Sequence, residues 1–166
     1  MSESHTQKLA VLFVCLGNIC RSPMAEGALR AVAAKSGLDC NVDSAGTADY
    51  HVGDAPDPRA IATARADGVD ISGLQGRQLD LEDFYRFTHI FALDKANLEG
   101  IRARAPRDAT AKVALLMDAI EGKKGGSVKD PYYGDDDDFR AAWEEILIAI
   151  SAMTDRFEES GIDAQF

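Results

Sequence analysis

The stretch Leu9-Ala10-Val11-Leu12-Phe13-Val14-Cys15-Leu16-Gly17-Asn18-Ile19-Cys20-Arg21-Ser22-Pro23 decides how the chain folds. It opens with a short, unbroken apolar run, the pattern of a strand covered on both faces. Beyond it, Met24 to Lys35 is alanine-rich and reads as helix. Ser22 reads as the helix N-cap and Pro23 as the first helical residue, where a missing N–H costs nothing. Strand, tight loop and helix start follow in that order. The N–H groups of loop and first turn then converge on one spot, and the helix dipole makes that spot welcoming to an anion. Gly17 frees the backbone beside a ligand, and Asn18 tolerates a left-handed turn.

Cys15 stands at the floor of this spot. A thiolate is itself an anion, so the same field favours the ionised, nucleophilic form. Arg21 follows with five residues between. Its planar fork can clamp two oxygens of a tetrahedral oxyanion, which lysine cannot match. As a mere surface residue it would oppose the dipole of its own helix. A nucleophile, an anion cradle and an arginine clamp together imply phosphoryl chemistry, with in-line attack of Cys15 on phosphorus.

Composition agrees with one soluble domain. Of 166 residues, 46% are hydrophobic and 28% charged, ordinary values for a globular protein. No apolar run approaches the ~20 residues of a membrane span. Met1 to Lys8 is polar, does not read as a signal peptide, and is taken as a flexible N-terminal tail. Residues 9–160 form the domain and 161–166 a C-terminal tail. Three cysteines make no disulfide scaffold, which suits a reducing, cytoplasmic location. The net charge of −10 argues against a nucleic-acid partner, which would need a basic face. Positive potential must therefore be made locally, by loop amides and Arg21.

Along the chain, Gly37 reads as a helix C-cap. Cys40 to Thr47 reads as a second strand, 49–58 as loop, Pro58 to Ala66 as helix ended by Gly68, and Leu81 to Phe87 as a helical turn. His89 to Leu93 is a third strand, Lys95 to Ala105 helix, and Lys112 to Leu116 a fourth strand. Gly122 to Val128 reads as a flexible connector. Phe139, Ala142, Trp143, Ile146, Ile150, Met153 and Phe157 keep helical spacing over five turns. The acidic run Asp135 to Asp138 suits the N-terminus of that helix and lacks the alternating spacing of a calcium loop. Strands alternating with helices give an α/β fold with a parallel sheet. With a ligand at the carboxyl end of the first strand, a small flavodoxin-like open sheet fits.

Two separated motifs carry a family resemblance. Val14-Cys15-Leu16-Gly17-Asn18-Ile19-Cys20-Arg21-Ser22-Pro23-Met24-Ala25-Glu26 and, much later, Asp130-Pro131-Tyr132-Tyr133-Gly134 resemble the low-molecular-weight protein tyrosine phosphatases in sequence, order and chain length. The resemblance implies a three-layer sandwich, with a parallel sheet of strand order 2-1-3-4 and helices on both faces. It implies hydrolysis of phosphotyrosine in proteins through a phosphocysteine, with no cofactor or metal, and inhibition by phosphate and other oxyanions. Asp130 becomes the general acid, and then the base that activates water. Read alone, it serves equally as a turn residue held extended by Pro131.

The resemblance places Leu16, Gly17, Asn18, Ile19, Cys20 and Ser22 in the phosphate-binding loop. Ser22 also hydrogen-bonds the nucleophile. Asn18 holds the loop, with Ser44 as its partner; Ser44 reads equally as a strand-end hydroxyl. Tyr50, Tyr132 and Tyr133 wall a cleft deep enough for a phosphotyrosine, with Leu16 and Ile19 at its mouth. Packed surface tyrosines are the plainer alternative. Cys20 is a redox partner able to form a reversible disulfide with Cys15, or a small buried residue. Cys40 reads as core. Gln75 falls where mammalian relatives carry a loop-ordering His, so a charge effect there is not expected.

Three other functions compete. A thiol arsenate reductase needs further cysteines, and none follows Cys40. Protein-arginine phosphatases of the family tend to carry Thr where this chain has Ile19. An inactive phosphopeptide-binding module has no use for Cys15, Arg21 and Asp130 together.

Overall fold

The computed structural model describes residues 7–166. Most of the segment read as an N-terminal tail therefore lies outside the described residues. Lys8 is in an ion pair with Asp39, 3.0 Å away.

The apolar opening run is strand β1, Ala10–Cys15, and every residue of it is buried. Its alternate side chains feed two cores: Val11, Phe13 and Cys15 face one, while Ala10, Leu12 and Val14 face the other. A strand covered on both faces needs helices above and below, and they follow. Helix α1 is Arg21–Ser36, β2 is Asn41–Gly46, α2 is Pro58–Ala66 and α3 is Asp83–Arg86. Then come β3, His89–Ala92, α4, Lys95–Arg104, β4, Lys112–Leu115, and α5, Asp136–Ser160. The sheet of the described residues is parallel with order β2-β1-β3-β4. This is the small α/β sandwich expected from the sequence.

Helices α1, α2 and α5 cover one face, with fully buried Trp143, Phe139 and Ile146 on the inner stripe of α5. Each such side chain contributes on the order of 1.5–3 kcal/mol by leaving water. Trp143 Nε1 donates to Asp67 at 2.6 Å and so ties α5 to the end of α2. Helices α3 and α4 cover the other face over Phe84, Ile90 and Ile101. Asp135 caps α5 through a reciprocal pair with Asp138, as the acidic run suggested. Gly37 ends α1 at φ 75°, a left-handed cap that glycine adopts at no steric cost.

Four readings need correction. Ser22 is not the N-cap of α1: Cys20 holds that position and the Ser22 hydroxyl is used elsewhere. The glycine-rich connector is anchored. Val128 is fully buried, its N–H donates to Leu93 at 2.8 Å, and Gly125 donates to Asp118 at 2.7 Å. The last six residues pack on the body, with Ala164 buried and the Phe166 ring edge-on to Phe91 and His89. Cys40 is half-buried at the start of β2, and burial pushes its thiol up to about 11.

β1 lies between β2 and β3, so chain connections leave it in opposite directions and open a crevice at its carboxyl end, where ligands of open α/β sheets bind. Cys15 is the last residue of β1.

Candidate active site

The loop between β1 and α1 is stitched to the end of β2. Thr47 N–H donates to Cys15 at 2.9 Å and Ala48 N–H to Leu16 at 3.0 Å. The approach is close enough that a Cβ on Gly46 would sit 2.7 Å from the Leu16 carbonyl oxygen. At its apex Asn18 takes φ 58°, the only left-handed non-glycine residue among those described.

The side chain of Asn18 makes that conformation affordable. Its Nδ2 donates to Ser22 Oγ at 2.8 Å and Ser44 Oγ at 3.0 Å, and its Oδ1 accepts from the Arg77 N–H at 3.0 Å. Ser44 in turn donates to Glu26 at 2.7 Å, whose other oxygen is gripped by Arg30. Burial pushes the Glu26 carboxyl above its ordinary range, against hydrogen bonds from Ser44 and Arg30. Ser22 already accepts from Asn18, so its single proton is free for Cys15 Sγ at 3.1 Å or the Ala45 carbonyl at 3.4 Å.

Arg21 is 3% exposed. Its Nη1 donates to Asp94 at 2.7 Å and to the Val128 carbonyl at 2.8 Å. Nη2 lies 3.7 Å from Asp130, and Nε, though buried, has no partner. One edge of the guanidinium is thus tied down while the Nε edge is left for a ligand. An unpaired buried N–H is costly, so an oxyanion accepting from it gains that energy on binding.

Asp130 faces this edge from the other wall, on an exposed turn where its Oδ1 accepts from the Tyr132 N–H at 3.1 Å. The Tyr132 and Tyr133 rings stand at right angles, 4.9 Å apart, and Tyr133 is 95% exposed. Cys15, Leu16, Gly17, Ile19, Cys20, Arg21, Tyr50, His51, Asp130, Tyr132 and Tyr133 line one cleft of about 200 Å³. Its floor is small and polar and its rim aromatic. Burial, with Asp57 next, pushes the Cys20 thiol far above its ordinary range, so Cys20 stays protonated beside Cys15.

Of the residues picked out from sequence, Cys15, Leu16, Gly17, Ile19, Cys20, Arg21, Asp130 and the three tyrosines meet in this cleft, while Asn18, Ser22 and Ser44 hold the loop from behind. Gln75 does not take part. It is exposed, and the contact that steadies Asn18 from that segment is the backbone of Arg77. Sequence reading missed Asp94, His51 and Arg59. Asp94 carried a usable signal, since it follows β3 at the same end of the sheet as Cys15 and caps α4 by accepting from Asn97. His51 meets Gly17, where a Cβ would come 3.1 Å from its ring, and nothing local foretells that.

Comparison with known proteins gives the same reading. The family model for low molecular weight phosphotyrosine protein phosphatase matches residues 10–161. A low molecular weight phosphotyrosine protein phosphatase of Schizosaccharomyces pombe is 43% identical over 145 residues, covering 86% of this chain and 92% of the relative. Among solved structures, a protein tyrosine phosphatase of Entamoeba histolytica with Hepes in its active site aligns with a TM-score of 0.86 at 33% identity, covering 92% of this chain and 98% of that one. A Drosophila arginine phosphatase aligns with a TM-score of 0.83 at 36% identity over 89% and 97% of the two chains. The strand order, the loop from Cys15 to Arg21 and these matches agree: the chain belongs to the low molecular weight phosphotyrosine protein phosphatase family.

Proposed function

We propose that the protein hydrolyses phosphotyrosine in proteins through a phosphocysteine. The observation that carries this is the buried Arg21, whose unpaired Nε edge shares the cleft with Cys15 and Asp130. Loop amides and Arg21 bind the phosphate dianion. The Cys15 thiolate attacks phosphorus, the S–P bond forms and the P–O bond to the tyrosyl oxygen breaks. That oxygen leaves with a proton from Asp130, without which its departure is slow. Asp130, now a carboxylate, takes a proton from water. The water oxygen attacks phosphorus, the S–P bond breaks, and inorganic phosphate and the Cys15 thiolate are released. Ser22 stabilises the sulfur as leaving group. Asp94 keeps the Arg21 plane fixed for the equatorial oxygens.

The length of the substrate sets its class. The aromatic rim suits a phenyl ring between Tyr50 and the Tyr132–Tyr133 pair, with the phosphorus reaching Cys15. A phosphoserine is too short for this. The likeness to an arginine phosphatase favours phosphoarginine as the second reading, and Ile19 in place of a loop Thr speaks against it.

Acid quench of a reaction with labelled substrate should trap one phosphocysteine, absent in Cys15→Ser. Asp130→Ala should lose about 10²–10⁴-fold in kcat on phosphotyrosine. Phosphotyrosine should be preferred to phosphoserine and phosphoarginine. A wild type inert on all three sinks the catalytic reading; a preference for phosphoarginine moves it to the second.

A further inference from the structure

Arg59, at the start of α2, uses its side chain in a way that a helix-surface arginine does not need. Nε and Nη2 grip the Asp57 carboxylate at 3.1 and 2.9 Å. Nη2 also donates to the Tyr132 carbonyl at 2.9 Å and Nη1 to the Gly134 carbonyl at 3.2 Å. The guanidinium lies 4.5 Å over the Phe139 ring and 5.7 Å over the Tyr132 ring. Two ends of the site meet through it. Asp57 N–H donates to the Ile19 carbonyl of the phosphate-binding loop at 2.8 Å, while Tyr132 N–H donates to Asp130 at 3.1 Å. A continuous run of short contacts therefore leads from Ile19 through Asp57, Arg59 and Tyr132 to the Asp130 carboxyl.

Asp57 is fitted to hold its end. Burial works against its charge, yet hydrogen bonds from Arg59 outweigh it and hold the carboxyl below its ordinary range. It also caps α2 by accepting from the Arg59 N–H at 2.8 Å. A planar fork can hold Asp57 and the two carbonyls at once; an ammonium is a point charge and cannot fix that plane.

We propose that the Arg59–Asp57 clasp is the positioning device for the general acid: it sets where the Asp130 carboxyl stands relative to Cys15. This rests on the phosphatase reading above. Arg59 touches neither the nucleophile nor the reacting phosphorus. It acts on the carbonyl side of the turn whose N–H orients Asp130. Its loss should therefore appear in the proton-transfer step. Displacing a catalytic group by about 1 Å can cost on the order of 100-fold.

The test is kcat/KM for a series of aryl phosphates running from dinitrophenyl, which leaves without a proton, to phenyl, which needs one. Arg59→Ala and Arg59→Lys should lose roughly 10–100-fold on phenyl phosphate and little on dinitrophenyl phosphate, so the dependence on leaving group steepens. In an Asp130→Ala background, Arg59→Ala should add nothing on phenyl phosphate, because the two act as one unit. A uniform loss across the series, an additive double mutant, or an Arg59→Lys enzyme with the wild-type slope would overturn the proposal while leaving the phosphatase reading intact. A wild type inert on every ester fails the phosphatase reading instead. If Arg59→Ala melts before assay, Arg59→Lys, which keeps the charge and the aliphatic packing, carries the comparison alone.

Discussion

The two walls of the cleft are built in opposite ways. On one side Cys15, Asn18, Cys20, Arg21 and Ser22 are all buried, and Asn18, Arg21 and Ser22 are held by partners from β2, α1, the N-cap of α4 and the backbone at Val128. On the other, Asp130 is 43% exposed, and its turn is held by its own Asx-type bond and by Arg59. The difference fits the tasks proposed for the two walls. Binding a dianion out of water rewards donors fixed beforehand, because they need no reorganisation when charge develops. Delivering a proton to a leaving group on a large substrate needs an approach route, and an exposed turn provides one.

The comparison breaks most completely at Cys15. Cys15→Ser should lose kcat by roughly 10⁵-fold or more, as expected when a covalent nucleophile is removed. Phosphate should still bind it, measured at equilibrium, because the anion cradle remains. If Cys15→Ser no longer binds phosphate, cradle and nucleophile are not separable. Next is Gly46→Ala, at a residue that touches no substrate. Its Cβ would press on the Leu16 carbonyl and the Asn18 N–H. We expect a loss of kcat of roughly 10–100-fold with the fold intact by circular dichroism; wild-type turnover would mean that the buried wall yields.

Tyr133→Ala sharpens the contrast from the exposed side. Removing a ring that is 95% exposed should raise KM for phosphotyrosine peptides several-fold, as expected for one lost aromatic contact of about 1 kcal/mol, with stability unchanged. A fall in kcat instead would place the ring in the reacting geometry. The smallest effect is expected at Glu26, behind the buried wall. Its carboxyl is raised in the folded protein, so the native state holds a proton that the unfolded chain loses near pH ~4.3. That contribution is fully present below about pH 4.3 and is lost as pH rises through the folded value. Urea denaturation should show wild-type stability declining across this window relative to Glu26→Gln. Parallel curves would mean that Arg30 keeps the carboxylate charged throughout.

Much of this was legible in the sequence, for reasons that differ by element. The apolar run before Cys15 and the stripe from Phe139 to Phe157 are local patterns of period and burial, and both elements lie where those patterns place them. Ser22 misled because Ser-Pro is a good cap signal, whereas the hydroxyl is consumed by Cys15 and Asn18. The connector misled because its glycines speak of turns, and nothing in them says that Val128 will be inserted under β3. Asp94, despite its place after β3, and Arg59 were missed for a third reason. Their significance comes from partners about 73 residues away, and only the folded chain brings those distances to hydrogen-bond length. Gln75 was read as replacing a loop-ordering side chain, but the fold meets that need with the Arg77 backbone N–H, which every non-proline residue carries.

The anchoring of Arg21 by the Val128 carbonyl spans 107 residues of chain, and it bears on how the protein is made. Within the chain the stretch from Cys15 to Pro23 is synthesised well before Val128 and Asp130. The guanidinium at its heart donates its hydrogen bonds to Asp94 and the Val128 carbonyl, 73 and 107 residues further on. Asp130 arrives only two residues later. A chain still being synthesised therefore carries Cys15 well before it carries the carbonyl that anchors Arg21 and the carboxylate that faces it across the cleft.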